Sequence, residues 1–166
     1  MYDKILVAVD GSQTGEQALD EAIRLAARLG AELSIVHVID SGYVKYDVGY
    51  LDTRGLTETL VAQGKAILSQ AQAKAEQAGV RVRTLLEDDP LAAFDIGMAI
   101  EDAAHAAGAQ LLVLGTHGRR GVRRLLLGSV AEGLVRQSAL PVLLVRGVDA
   151  EPAQPAARET AKAVST

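Results

Sequence analysis

Branched apolar residues gather in five short runs, and small apolar residues at helical spacing fill most of the intervals between them. Ile5-Leu6-Val7-Ala8-Val9 is a continuous apolar run, which predicts a strand buried on both faces. Asp10-Gly11-Ser12 is a turn signal, and Thr14-x-x-Gln17 fits a capping box. Ala18, Ala22, Leu25, Ala26 and Leu29 then recur at helical spacing up to Gly30, where a left-handed cap belongs. Leu33 to Ile39 predicts a second buried strand. Residues 40–55, with Ser41, Gly42, Tyr43, Tyr46, Gly49, Tyr50 and Gly55, predict a mobile loop. A long helix follows over about Leu56–Ala78 and ends at Gly79. Val80 to Leu86 sets Val80, Val82, Thr84 and Leu86 against Arg81, Arg83 and Leu85, an alternation that predicts an edge strand with one wet face. Asp88-Asp89-Pro90 opens a helix over about Leu91–Ala107, closed by Gly108. Leu111-Leu112-Val113-Leu114 predicts a fourth buried strand, followed by a Gly- and Arg-rich loop to Leu127. A short helix starts at Gly128-Ser129 and runs to about Gln137, and Pro141-Val142-Leu143-Leu144-Val145 is the fifth strand.

Five strands separated by helices imply an α/β fold: right-handed crossovers and a parallel sheet covered on both faces. The 166 residues suit one domain, expected over 1–147. After Gly147 the chain turns to Ala, Pro, Glu, Gln and Thr, so 148–166 is expected to be a disordered C-terminal tail. Aromatic residues are 3% of the chain, so the core must be built from Ala, Val, Leu and Ile. Seventeen basic residues against 21 acidic give a net charge of −4, which argues against a dedicated nucleic-acid binder. Cysteine is absent, which excludes disulfides, zinc thiolates and thiol nucleophiles. No apolar run approaches the ~20 residues needed to span a bilayer. Met1-Tyr2-Asp3-Lys4-Ile5 enters the first strand without a signal-peptide core. A cytoplasmic protein with no membrane insertion is the expectation.

In an open parallel sheet, ligands bind beyond the carboxyl ends of the strands, where strand order reverses. Two segments suit that crevice. Asp10, directly after the first strand, can accept hydrogen bonds from ribose hydroxyls or an adenine amino group; aspartate there also serves as a turn residue or helix cap. The second segment is Gly115-Thr116-His117-Gly118, nine residues, then Gly128-Ser129. Gly115 and Gly118 allow close backbone approach to a ligand. Gly128-Ser129 lies at a helix start, whose free N–H groups can face an anion, and the Ser129 hydroxyl can cap that helix or donate to a phosphate oxygen.

Val7-Ala8-Val9-Asp10-Gly11-Ser12, the Gly115–Gly118 turn and the Gly-x2-Gly-x9-Gly-Ser spacing resemble the universal stress protein family, and the spacing resembles its ATP-binding branch. The resemblance covers about Met1–Arg146. It implies a Rossmann-like nucleotide-binding fold with sheet order 3-2-1-4-5, a homodimer, and an adenine nucleotide (ATP, or ADP or AMP) over strands one and four. By the same resemblance Ala8 and Val9 line the base pocket, Asp10 meets the ribose or adenine, and the backbone at His37-Val38 flanks the adenine. Leu114, Gly115, Thr116, His117, Gly118 and Arg119, with Gly128, Ser129 and Val130, surround the ribose and phosphates. Mg²⁺, when present, rides with the phosphates. The function implied is a nucleotide-dependent regulatory module of the stress response. The segment Pro90–Gly108 departs from the family pattern, being longer by roughly a turn and a half, with Asp88-Asp89-Pro90 in place of Gly-x-Pro.

Arg119, Arg120, Arg123 and Arg124 put four of the 17 basic residues into six positions, either to neutralise phosphates or as a solvated loop. Direct nucleic-acid binding lacks interleaved aromatics for stacking. His37, His105 and His117 have no metal-ligand spacing, and Asp88-Asp89 suits Mg²⁺ less well than a helix cap. There is no Gly-x-Ser-x-Gly elbow, no Walker motif and no lysine in the cradle, so binding is better supported than turnover. The alternative is a slow ATPase or phosphotransferase, for which only His117 and Asp10 are available. A phosphoacceptor domain would need an acidic pair after strand one and a lysine after strand five; here Asp10 is single and Arg146 follows strand five. Val142, Leu143, Leu144 and Val145 form an uncharged fifth strand, through which a homodimer is expected to pair.

Overall fold

A computed structural model describes residues 1–40, 53–89, 95–116 and 127–147. The elements alternate as the hydrophobic pattern requires: β1 (Lys4–Ala8), α1 (Gln13–Leu29), β2 (Glu32–Val38), α2 (Thr53–Gln77), β3 (Val82–Glu87), α3 (Ile96–Ala107), β4 (Leu111–Gly115), α4 (Ser129–Gln137) and β5 (Val142–Val145). The five strands form one sheet in the order β3-β2-β1-β4-β5, and every pairing is parallel. Positions 117–126, 90–94, 41–52 and 148–166 lie outside the described residues, and with them the arginine cluster, most of the tyrosine-bearing loop and the expected tail.

Alternate residues of each strand feed two cores. Ile5, Val7, Leu33, Ile35, Leu111 and Val113 pack with α1 and α2 on one face. Leu6, Val36, Leu112 and Leu114 pack with α3 and α4 on the other. The central strands β1 and β4 are therefore apolar on both faces, as a doubly covered parallel sheet demands, while β2 also buries Ser34 and His37. Leu6 and Leu112 are fully buried, so truncating either to alanine costs about 2–5 kcal/mol. The polar edge predicted for the third strand is seen at Arg83. Its Nε donates to Ser34 Oγ at 2.9 Å and its Nη2 to the Ala107 carbonyl at 2.7 Å, which ties the edge of the sheet to the carboxyl end of α3.

The helix stops follow the sequence, with Gly30 and Gly108 in the left-handed conformation at φ 67° and 63°. Two helix starts do not. Thr14 is not the cap of α1; Ser12 is, its Oγ accepting from Gly15 N at 3.1 Å. Asp95 caps α3 by accepting from Met98 N at 2.9 Å, five residues beyond Pro90, and the helix has 12 residues. The start of α4 at Gly128-Ser129 is as expected, but Gly128 is the N-cap, so the Ser129 hydroxyl is not its cap, and among the described residues no side chain supplies a capping bond there. A cap is decided by one residue's φ and ψ, which periodicity does not encode. Among the described residues no helix is long and apolar enough to cross a membrane.

Candidate functional site

The chain leaves β1 to build β2 and β3 on one side, then returns to build β4 and β5 on the other, so strand order reverses between β1 and β4. A cavity of about 250 Å³ opens there, beyond the carboxyl ends of the strands, near the low end for small-molecule sites. Its apolar walls are Ala8, Val36, Val38 and Leu114 from the sheet, Ile96 and Ile100 from α3, and Val130 and Ala131 from α4. Its polar rim is Asp10, Asp40, Thr116 and Ser129. Ala8, Val9, Asp10, Val38, Leu114, Gly115, Thr116, Gly128, Ser129 and Val130, all singled out from the sequence, meet on this one cavity. His117, Gly118 and Arg119 lie outside the described residues.

Asp10 is held by local bonds. Its Oδ1 accepts from Ser12 N at 3.0 Å and from Ser12 Oγ at 2.6 Å. Ser12 Oγ in turn accepts from Gly15 N, so the carboxylate and the start of α1 form one unit. A Cβ on Gly15 would stand 2.7 Å from Asp10 Oδ1, so glycine lets the carboxylate rest on the first turn of the helix. Both readings of Asp10, as turn residue and as cavity residue, describe the same side chain. Gly115 also has a structural reason to lack a side chain: a Cβ there would lie 2.8 Å from the carbonyl oxygen of Thr14. The sequence assigns that glycine to ligand approach; the closest approach is by α1.

The loop after β4 is tied at its base. Thr116 N donates to Val145 O, and Gly128 N donates to Thr116 O, both at 2.9 Å. These bonds bring the carboxyl end of β4 next to the N-terminus of α4. Within α4 the first backbone bond runs from Glu132 N to Gly128 O at 2.8 Å. The N–H groups of Ser129, Val130 and Ala131 therefore have no partner inside the helix, and their partial positive charge faces the cavity rim. Such an arrangement binds anions by backbone donors without a cationic side chain.

Sequence reasoning missed Gly15, Val36, Asp40, Ile96, Ile100 and Ala131. Ile96 and Ile100 are four apart on α3, a spacing that marks one helix face and does not tell core from cavity wall. A wider groove of about 600 Å³ continues from the cavity between α3 and α4, sharing Asp40, Ile96, Ser129 and Val130. Among the described residues no group of three or more His, Cys, Asp or Glu is placed to hold a metal ion.

The family model for universal stress proteins matches residues 1–146. A universal stress protein of Methanocaldococcus jannaschii is 34% identical over 151 residues, covering 88% of this chain and 83% of its own. Among solved structures, a protein from the universal stress protein family of Burkholderia pseudomallei is 37% identical with a TM-score of 0.71, over 87% of this chain and 96% of its own. A universal stress protein solved in complex with cAMP is 26% identical with a TM-score of 0.59, over 87% of this chain and 97% of its own. With likeness running from the first residue through the last strand of the sheet, the chain belongs to the universal stress protein family.

Proposed function

We propose that this protein binds an adenine nucleotide, ATP in the first instance, in the cavity between β1 and β4, and that occupancy serves as a regulatory signal in a stress response. The observation that carries the reading is the uncapped N-terminus of α4 standing at the rim of an apolar cavity at the strand-order reversal. The apolar walls suit a base, Asp10 suits the ribose, and the N–H groups of Ser129, Val130 and Ala131 suit phosphate oxygens. His117, Gly118 and Arg119 join this site by the Gly-x2-Gly-x9-Gly-Ser spacing. Mg²⁺, where it accompanies the ligand, is carried by the phosphates. The relative that is bound to cAMP supports an adenine-containing ligand.

The same reading makes the protein a homodimer. β5 is the outer strand of the sheet in this chain, and its four residues are only partly buried. A two-fold axis beside β5 would pair it with its copy and bury that edge. Sedimentation of the full chain as a monomer at micromolar concentration would refute this part.

The nucleotide reading is tested by a melting scan with ATP, AMP and GTP, with and without Mg²⁺. ATP at 100 times its dissociation constant stabilises the fold by about 2.7 kcal/mol, a rise of roughly 5–10 °C for a domain of this size. Ala8→Leu, which puts three more carbons into the cavity from the end of β1, should abolish the rise. No rise with any nucleotide in the wild-type protein refutes the reading, and a rise that survives Ala8→Leu puts the ligand elsewhere.

A further inference from the structure

His37 is 4% exposed, precedes the last residue of β2 and lines the cavity. The backbone of β2 explains why its position matters. Odd positions bond to β3: Leu33 N donates to Arg81 O at 2.8 Å and Ile39 N to Glu87 O at 2.9 Å. Even positions face β1, where Val9 N donates to Val36 O at 2.9 Å. Val38 is the next even position, and in a strand the N–H and C=O of one residue point to the same edge. β1 ends at Ala8, so the Val38 peptide groups are directed past it, at the cavity that Val38 lines.

The next rung of the ladder would run from Val38 N to Val9 O. That carbonyl instead accepts from His37 Nδ1 at 2.8 Å, and among the described residues the backbone rung is absent. The imidazole is fixed from its other side by α2: a Cβ on Gly64 would stand 2.8 Å from His37 Cδ2, so glycine at that position leaves room for the ring.

We propose that His37 is a positioning residue for base selection: by occupying the Val9 carbonyl it ends the β1–β2 ladder one rung early and leaves the N–H and C=O of Val38 as a paired donor and acceptor for adenine. The inference rests on the nucleotide reading above. Adenine offers an acceptor at N1 beside an amino donor at N6, the complement of a peptide N–H beside a C=O. Hypoxanthine offers the reverse, a donor at N1 and an acceptor at O6. In a closed cavity the reversed edge leaves polar groups unpaired, which costs about tenfold or more in affinity.

The test is calorimetric titration of the full chain with ATP and with ITP, in the wild type, His37→Asn and His37→Leu. The Asn amide can donate from the place of Nδ1, whereas Leu cannot. The wild type should prefer ATP by about tenfold, His37→Asn should keep most of that preference, and His37→Leu should bring the ratio close to one. A wild-type ratio in His37→Leu, or equal binding of ATP and ITP by the wild type, overturns the inference and leaves the nucleotide reading standing. No binding of either nucleotide by the wild type overturns both. Amide exchange in the wild type covers the case in which His37→Leu does not fold. The Val38 amide should exchange faster than those of Val36 and Ile39 without ligand, and become protected by about tenfold or more with ATP. A Val38 amide as protected as Ile39 without ligand overturns the inference.

Discussion

Replacing Gly115 with alanine should separate two elements that the fold holds in unusual proximity. The added Cβ would lie 2.8 Å from the carbonyl oxygen of Thr14, 2.9 Å from its carbonyl carbon and 3.1 Å from its Cβ. Ordinary carbon–oxygen contacts begin roughly half an ångström further out. The obstacle is mostly backbone in the first turn of α1, so it cannot be relieved by a rotamer change. Either α1 or the end of β4 must shift. Overpacking of this kind costs about 2 kcal/mol, which lowers the melting temperature by about 4–8 °C in a domain of this size. The shift falls between the Asp10–Ser12 turn and Thr116, so it should also widen the cavity and weaken ATP binding. Calorimetric melting of the full chain, with and without ATP, reads both effects. A Gly115→Ala protein that melts within about 1 °C of the wild type and keeps its full ATP response would refute the close packing of α1 on β4.

Gly133→Ala should have the opposite sign: among the described residues its added Cβ would meet nothing within 4 Å beyond its own helix backbone, and losing a helix-interior glycine should stabilise the protein by about 0.5–1 kcal/mol in a denaturant titration. Ser12→Ala should cost about 1 kcal/mol by loss of the α1 cap, and should also weaken ATP binding because Asp10 loses its hydroxyl partner; unchanged affinity would separate Asp10 from the site. Lys74 has its pKa raised by its hydrogen bond to Asp20, helped by the charges of Asp20 and Glu16 and opposed by partial burial. A raised lysine contributes stability that is complete below its ordinary pKa of 10.5 and lost as pH rises through the raised value. The lysine and Asp20 side chains are 43% and 48% exposed, so solvent screening keeps the pair to about 0.5 kcal/mol or less. Wild type and Lys74→Met should therefore differ only slightly across neutral pH, with the difference vanishing at strongly alkaline pH.

The alternation of strands and helices was legible because burial on both faces of a parallel sheet forces continuous runs such as Ile5–Val9 and Leu111–Leu114, and helices over such a sheet need one apolar stripe. The cavity at β1 and β4 was legible for a related reason: Asp10, Gly115 and Gly128 fall just past predicted strands, where the fold makes its crevice. Two helix starts were not, because Ser12 and Asp95 cap by backbone angles that Thr14 and Asp89 would serve as well on composition alone. The purpose of Gly115 was also hidden, since its neighbour Thr14 is distant in sequence. Ile96 and Ile100 went unmarked, because no sequence signal separates a cavity wall from a packed helix face. The role of His37 needed coordinates, because it depends on which carbonyl a ring nitrogen meets.

The most direct measurement is a two-dimensional amide NMR titration of the full chain with ATP. The account predicts saturable shifts concentrated at Val38, Thr116, Ser129, Val130 and Ala131, which converge on the cavity, with the amides of β3 before Leu86 little affected. Saturable shifts confined to other surfaces, or none at all, would contradict it.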